Sequence, residues 1–401
     1  MTDGLRTHDA PGAWLRACAV AVAVAATLAV ASGAAGSDTV HRVVAALAAP
    51  PLAALLVAAL LSHRSLLAPV GVTGALLVAA ALAPPGPAHL GLAVPALASA
   101  AVLAAASRRG GHVPAGSWRD YLTLTKPRIM VLLLLTGACG AAVGADGRPS
   151  PGLLATTLVG LGLACGGASA LNHVLDRDID RLMGPRTAAR PVAAGRITAP
   201  RALEFGLALS AASFTLLAAK ANLLTAVLAL VGNLFYVVVY TGYLKRRGPQ
   251  NIVLGGAAGA VPPLVGYAAA TGSVAAPALW LFVLVCLWTP PHFWALALLL
   301  KEHYAKAEVP MLPVVAGEAA TLRRILGYTA ILVAASVVPF ATGVFGPLYL
   351  AAAVVLGGLF LALAWSLRRA PSRRGAAAVF HYSLLYLALL FVAAALSPLV
   401  A

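Results

Sequence analysis

Charged residues are scarce in this sequence. Asp, Glu, Lys and Arg make up only 10% of its 401 residues, whereas 61% are hydrophobic. A soluble protein of this length has an exterior that faces water and cannot hide so much apolar surface. The low charge therefore excludes a soluble globular protein and predicts an α-helical protein that crosses the membrane many times. The apolar runs are long and do not alternate with polar residues, which excludes a transmembrane β-barrel.

Cysteine is also rare, and its placement excludes a metal centre built on thiolates. The four cysteines lie inside apolar runs, and no two of them have the spacing of metal ligands. We interpret them as small core residues. They are Cys18, Cys139, Cys165 and Cys286.

Acidic residues are few beside basic ones: 12 Asp and Glu stand against 28 Lys and Arg, and the formal net charge is +16. The basic residues lie between apolar runs and form no separate domain, so we expect no nucleic-acid partner. Such a distribution is typical of the cytoplasmic loops of a membrane protein.

The apolar runs predict two domains. Residues 1–110 are expected to form a four-helix transmembrane extension, and residues 111–401 a domain with nine spans. The first run also resembles a signal peptide, but we favour a retained helix. The predicted spans lie near 15–32, 40–62, 66–84, 88–106, 129–145, 151–173, 201–219, 222–243, 251–271, 278–300, 324–342, 346–366 and 376–397.

Lys and Arg also predict the orientation in the membrane. In the nine-span part they fall almost entirely on alternate connections, and the opposite connections hold only Arg148 and Lys220. Basic loops stay in the cytoplasm. We therefore expect a multi-pass protein of the plasma membrane, with the N-terminus and the polar loops in the cytoplasm and the C-terminus outside.

A stripe of oxygen-bearing side chains follows the second of these nine runs. Asn172, Asp176 and Asp180 are spaced by four, so on a helix they share one face over about 12 Å. Two carboxylates and an amide oxygen suit Mg²⁺, which prefers to share its ligands with substrate phosphates. The alternative is a solvated helix end with Asp–Arg pairs. Asp178 points away from the stripe, and we assign it a structural role.

Basic and polar side chains elsewhere on the predicted cytoplasmic side of the membrane suit a phosphate ligand. Guanidinium groups bind phosphate oxygens well, although positive-inside topology also explains arginines in these loops. A Pro-Pro pair inside an apolar run predicts a kinked or broken helix beside a cavity, and the histidine after it is either a functional group or a packing residue. These residues are Arg186, Arg190, Lys245, Arg246, Gln250, Asn251 and His292.

The motifs together resemble the UbiA superfamily of intramembrane aromatic prenyltransferases, and within it the protohaem IX farnesyltransferase branch. The resemblance runs from about residue 118 to the C-terminus. It is carried by Leu124-Thr-Lys-Pro-Arg-Ile129, Asn172-x₃-Asp176-x₃-Asp180, Pro249-Gln-Asn-Ile252, Trp288-Thr-Pro-Pro-His-Phe-Trp294 and Val309-Pro-Met-Leu-Pro313.

The resemblance implies nine helices around a cavity, with farnesyl diphosphate and haem B as substrates, haem O as product and Mg²⁺ as cofactor. It implies that Asn172, Asp176 and Asp180 hold the metal. It further implies catalytic roles for Lys245, Arg246 and His292, and substrate-binding roles for Lys126, Arg186, Arg190, Gln250, Asn251, Glu302, His303 and Tyr304.

This chain departs from the family at the second acidic position. The family carries Asp before the tyrosine that corresponds to Tyr304, and here that position is His303, preceded by Glu302. The resemblance therefore makes Glu302 the candidate substitute.

Residues 1–110 lie outside this resemblance. Four spans with His41 and His89 near span starts resemble one four-helix half of haem A synthase, an enzyme that takes haem O as substrate. We therefore expect haem A synthase as a partner. Two other functions remain open: prenyl transfer to a different aromatic acceptor such as a quinone precursor, and ion-coupled transport, for which we find no internal repeat.

Overall fold

The computed structural model describes residues 116–400. In that part of the chain the regular structure is helical, and nine helices are long and apolar enough to cross a membrane. The prediction of an all-α polytopic bundle is confirmed. The four spans predicted within residues 1–110 lie outside the described residues.

Fourteen α-helices form this part. The seventh of them, α7 at Leu223–Leu234, runs on into a π-helix, Phe235–Tyr243, and a 3₁₀ turn, Leu244–Arg246. The α-helices are α1 Trp118–Thr125, α2 Pro127–Gly144, α3 Pro151–Leu175, α4 Arg177–Met183, α5 Pro185–Ala188, α6 Ala199–Lys220, α7 Leu223–Leu234, α8 Asn251–Thr271, α9 Ala276–Leu299, α10 Lys301–Lys306, α11 Leu312–Val315, α12 Gly317–Ala341, α13 Pro347–Arg369 and α14 Arg373–Val400.

A sharp corner joins α1 to α2. Ser117 and Asp120 form a reciprocal capping box that fixes the start of α1. Lys126 ends α1 in the left-handed conformation, at φ 51°, and Pro127 begins α2 with a preset φ. The corner places the side chain of Lys126 beside the end of α3.

The helix that carries the stripe has a short break. α3 ends at Leu175, and Asp176 takes φ −89° and ψ 4° before α4 begins. The backbone nevertheless keeps the spacing of four, since the N–H of Asp176 donates to the carbonyl of Asn172 at 2.8 Å and that of Asp180 to Asp176 at 2.8 Å. The three side chains of the stripe therefore stay together.

The π-helix after α7 has wider turns than an α-helix, which rotates the residues that follow it. Tyr240 lies on this segment against Gly255 of α8, where a Cβ would meet its ring. Thr241 on the same segment reaches Asn172, and Lys245 in the next turn reaches Asp176. This irregular segment thus completes the site from the side opposite α1.

Small residues bring the central helices close together. A Cβ on Gly266 of α8 would meet the carbonyl of Gly137 on α2, and one on Gly140 would meet Pro263. Such contacts are typical of packed membrane helices.

The Pro-Pro pair for which the sequence predicts a kinked or broken helix is Pro290–Pro291. It does not break α9, which is continuous from Ala276 to Leu299. Within residues 116–400, a large apolar core lies among α2, α8, α9, α12, α13 and α14.

Candidate active site

The three side chains of the stripe are deeply buried at one end of the bundle. Asn172 is 3% exposed, and Asp176 and Asp180 are each 1% exposed. Carboxylates almost never reach this degree of burial in an apolar bundle unless they are paired or bind a ligand. Here both are paired.

Three basic side chains from separate parts of the chain meet the stripe. Lys126 Nζ donates to Asn172 Oδ1 at 2.7 Å, and Lys245 Nζ donates to Asp176 Oδ2 at 2.6 Å. Arg190, on the loop after α5, donates to Asp180 Oδ1 at 2.6 Å. The structure therefore brings together six of the residues that the sequence nominated.

The amide of Asn172 is held in one orientation. Its Nδ2 donates to Asp176 Oδ2 at 2.8 Å and to Thr241 Oγ1 at 3.1 Å, which leaves Oδ1 facing Lys126. Thr241 is fully buried and was missed by sequence reasoning. Its position four residues before Lys245 was the available signal, because side chains at that spacing share a helix face.

The paired charges leave a positive excess and two free oxygens. Lys126, Lys245 and Arg190 surround only two carboxylates. Asp176 Oδ1 and Asp180 Oδ2 are buried and have no hydrogen-bond partner. The site therefore suits an anionic ligand, while the two free carboxylate oxygens suit a cation bound with it.

The environment also shifts the pKa of two of these groups. Burial raises the pKa of Asp180, and the hydrogen bond from Arg190 opposes that rise. Desolvation, followed by the charges of Arg190 and Lys245, lowers the pKa of Lys126 to about 7. A polyanion bound among these cations would favour the charged form of Lys126.

The protein supplies few metal ligands of its own. Across residues 116–400, no three His, Cys, Asp or Glu side chains converge closely enough to hold a metal ion. Two carboxylates and the amide of Asn172 make an incomplete coordination shell. A hard cation such as Mg²⁺ fits this site if phosphate oxygens complete that shell.

Asp178 and Arg246 form a separate pair outside the buried stripe. Arg246 donates to both carboxylate oxygens of Asp178, at 2.7 and 2.8 Å, and to the carbonyl of Leu175 at 2.8 Å. Their side chains are 59% and 39% exposed. The hydrogen bonds from Arg246 lower the pKa of Asp178 to about 2. Arg246 therefore ties the 3₁₀ turn to α3 and α4, and its hydrogen bonds go to Asp178 and Leu175 and not to the buried stripe.

Four other nominated residues lie on the exposed surface of the described chain. Arg186, Gln250 and Glu302 are exposed, and neither Arg186 nor Glu302 makes a hydrogen bond or an ion pair there. His303 is exposed, and its ring packs against Gly184. Gly184 has φ 141°, and a Cβ on it would lie 2.7 Å from the ring of His303. The structure does not bring these four side chains into the buried stripe.

Asn251 and Tyr304 are buried beside the stripe. Asn251 Nδ2 donates to the backbone carbonyl of Lys245 at 3.4 Å, which steadies the turn that carries Lys245. Tyr304 packs with Ile179 and Met183 of α4, and burial raises its pKa to about 12. Both residues support the position of their neighbours.

His292 lies in an aromatic stack on α9. Its ring stacks on Trp288 at 4.3 Å between centroids and on Phe380 at 4.7 Å. The hydroxyl of Ser383 donates to the carbonyl of Phe380 at 2.6 Å, so Ser383 Oγ must accept the 2.7 Å hydrogen bond from His292 Nδ1. This fixes the proton on Nδ1 and leaves a lone pair on Nε2.

Comparison with known proteins identifies the family. The model of the UbiA prenyltransferase family matches residues 133–395. The chain belongs to the UbiA prenyltransferase family. The buried carboxylates, the basic ring formed by Lys126, Arg190 and Lys245, and the nine membrane helices of residues 116–400 are thus features of a UbiA protein.

Three relatives of this UbiA chain share half of its aligned residues. "Protoheme IX farnesyltransferase 1" of Pseudomonas putida (strain GB-1) is 51% identical over 277 residues, which cover 69% of this chain and 93% of the relative. The Azotobacter vinelandii "Protoheme IX farnesyltransferase" is 51% identical over 69% of this chain and 92% of its own length. The relative of the same name from Thermus thermophilus is 50% identical over 70% of this chain, which is 46% of that longer protein.

Solved structures share the UbiA fold. A digeranylgeranylglyceryl phosphate synthase aligns with a TM-score of 0.59 at 19% identity, over 71% of this chain and 99% of the other. A UbiA homolog from Aeropyrum pernix K1 aligns with a TM-score of 0.53 at 21% identity, over 66% and 95%. A UbiA homolog from Archaeoglobus fulgidus bound to DMAPP and Mg²⁺ gives 0.50 at 19% identity, over 68% and 98%.

Proposed function

We propose that this chain is a haem O synthase, which transfers the farnesyl group of farnesyl diphosphate to a vinyl group of haem B. The observation that carries the proposal is the buried pair of carboxylates, each with a free oxygen, inside a ring of three cations. The choice of haem B as acceptor rests on the likeness to relatives named protoheme IX farnesyltransferase.

The diphosphate is expected to lie among Lys126, Arg190 and Lys245. Mg²⁺, held by the free oxygens of Asp176 and Asp180 with the amide of Asn172, would neutralise diphosphate charge when bound. The carboxylates in turn keep two of the cations in place, because Asp176 holds Lys245 and Asp180 holds Arg190. Arg186 is exposed on α5, four residues before Arg190, and is proposed to meet the incoming diphosphate.

The reaction begins with cleavage of the bond between the allylic carbon and the diphosphate oxygen. The electron pair leaves with diphosphate, and the three cations stabilise that developing charge in a setting that excludes most water. A vinyl carbon of haem B then bonds to the farnesyl carbon. Water adds to the resulting cation and loses a proton, which completes the hydroxyfarnesyl side chain of haem O.

The aromatic stack around His292 is the proposed contact for the acceptor. Trp288 and Phe380 offer flat apolar faces of the kind that suit a porphyrin. The lone pair on His292 Nε2 can accept a proton or bind a metal ion. We therefore place His292 on the acceptor side of the site and the stripe on the diphosphate side.

We further propose that the site opens toward the cytoplasm, in the plasma membrane. The loops that carry Arg186, Lys245 and Glu302 belong to the set of connections that holds nearly all Lys and Arg. Haem O made there would be consumed by a membrane enzyme such as haem A synthase.

Pigment extraction tests the function. A host that lacks haem O should accumulate it when the full chain and both substrates are present, and chelation of Mg²⁺ in isolated membranes should stop its formation until Mg²⁺ is restored. Haem extracts separated by chromatography report this directly. If the membranes instead prenylate a quinone precursor and haem B stays unchanged, haem is not the acceptor.

A further inference from the structure

His173 is a buried polar side chain that the proposed reaction leaves unused. It follows Asn172 on α3 and is 1% exposed. Neither of its ring nitrogens has a hydrogen-bond partner. A neutral imidazole carries one N–H donor and one acceptor, and leaving both unpaired inside a membrane bundle is unfavourable. A ligand that accepts a hydrogen bond would remove that cost.

The location of His173 points to the kind of ligand. Ser169, one turn earlier on α3, donates to the carbonyl of Leu124 at 2.6 Å, so this side of α3 faces the corner between α1 and α2. Lys126 stands at that corner and reaches Asn172, the neighbour of His173. His173 thus lies beside the corner that holds Lys126, one of the three cations assigned to diphosphate.

We propose that His173 is a further diphosphate-binding residue, whose ring N–H donates to a phosphate oxygen of the substrate. This inference rests on the proposed function, since it assumes that a diphosphate occupies the basic ring. It explains why an unpaired polar side chain stands where an apolar one would pack without cost. A purely structural histidine at this position would gain nothing from its ring nitrogens.

Substitution of His173 distinguishes a diphosphate-binding role from a purely structural one. His173→Leu removes the donor, and His173→Gln keeps an N–H donor in its side-chain amide. A hydrogen bond to a charged partner typically changes affinity about tenfold to a hundredfold. We expect His173→Leu to weaken binding of inorganic pyrophosphate with Mg²⁺ by that factor, and His173→Gln to recover part of the loss. The readout is the rise in unfolding temperature of the purified full chain in detergent as pyrophosphate is added.

Tyr349→Phe is the matched control. The Tyr349 hydroxyl is also fully buried without a partner, but it lies on α13, in the large apolar core that α13 shares with α9, α12 and α14. Its removal should leave the pyrophosphate response unchanged. If His173→Leu cannot be recovered folded, His173→Phe provides the apolar comparison.

A kinetic arm tests the same residue with the prenyl substrate. His173→Leu should raise the KM for farnesyl diphosphate about tenfold or more and leave kcat less affected, because the ring binds diphosphate before and during cleavage. Equal pyrophosphate responses in wild type and His173→Leu would overturn the role of His173 alone. A wild-type protein that pyrophosphate does not stabilise would overturn the diphosphate site itself, and the inference with it.

Discussion

Asp176 and Asp178 are two residues apart and have opposite surroundings. Asp176 is 1% exposed and accepts hydrogen bonds from Asn172 and Lys245, while the other oxygen has no partner. The side chain of Asp178 is 59% exposed and forms a bidentate pair with Arg246. Helical phase explains the difference, since two residues turn a side chain through about 200°. Only Asp176 lies where diphosphate and metal would bind.

This contrast gives a matched pair of variants. Asp176→Ala should lower haem O formation about a hundredfold or more, because it removes a proposed metal ligand and leaves Lys245 buried without its partner. Asp178→Ala should retain most activity, since an exposed ion pair contributes little. Rates in membranes with equal amounts of protein check this. Near wild-type activity in Asp176→Ala would contradict the metal assignment.

At the scale of elements, α8 lies so close to α2 at Gly266 that no side chain fits there. A Cβ on Gly266 would meet the backbone of α2 at Gly137 and at Ala141, where the nearest nitrogen is 2.7 Å away. A Cβ on Gly259, two turns earlier, would meet nothing within 4 Å. Close backbone contact therefore fixes the spacing of α2 and α8, the helices that start at Pro127 and Asn251 beside the site.

The two glycines of α8 predict opposite effects of the same change. Gly266→Ala should destabilise the fold by about 1–3 kcal/mol, because backbone cannot yield as a flexible side chain does. Gly259→Ala should be neutral or stabilise by up to about 1 kcal/mol through helix propensity. Unfolding temperatures in detergent measure both. A Gly266→Ala protein as stable as wild type would show that α2 and α8 are not in contact there.

At the scale of the whole molecule, the basic loops and the buried site share one end of the bundle. Arg190 and Lys245 come from two of the connections rich in Lys and Arg, and both reach the stripe. In the proposed function, positive charge would serve two purposes there, because basic loops are retained in the cytoplasm and cations bind an anionic substrate. A water-soluble diphosphate would reach the site from that side.

Labelling of single cysteines tests this orientation. A membrane-impermeant maleimide should label Arg148→Cys on intact cells, and Arg374→Cys only after the cells are opened. The opposite pattern would place the site on the outer side. The native cysteines of residues 116–400 are buried or partly buried, which limits background labelling.

The sequence by itself determined the class, the nine spans of residues 116–400 and the residues of the stripe. These features are local, because each can be read from one segment without the rest of the chain. They are the length of the apolar runs, the positions of Lys and Arg, and the four-residue spacing of Asn172, Asp176 and Asp180. The helix ends were less accurate: α12 begins at Gly317, before the predicted residue 324, because polar residues that are helical leave no hydropathy signal.

Only the tertiary structure decided which side chains meet. The sequence predicts the same role for Lys245 and Arg246, which are adjacent and both basic. In the structure, the turn after the π-helix directs Lys245 toward Asp176, and Arg246 pairs with Asp178. Thr241 and His173 had no motif of their own. Thr241 reaches Asn172 only because the π-helix packs against α3. His173 faces the corner between α1 and α2 only because α3 packs against α1. Which groups share a buried site is fixed by contacts between distant segments, and the stripe at 172–180 acquires its chemistry from those contacts.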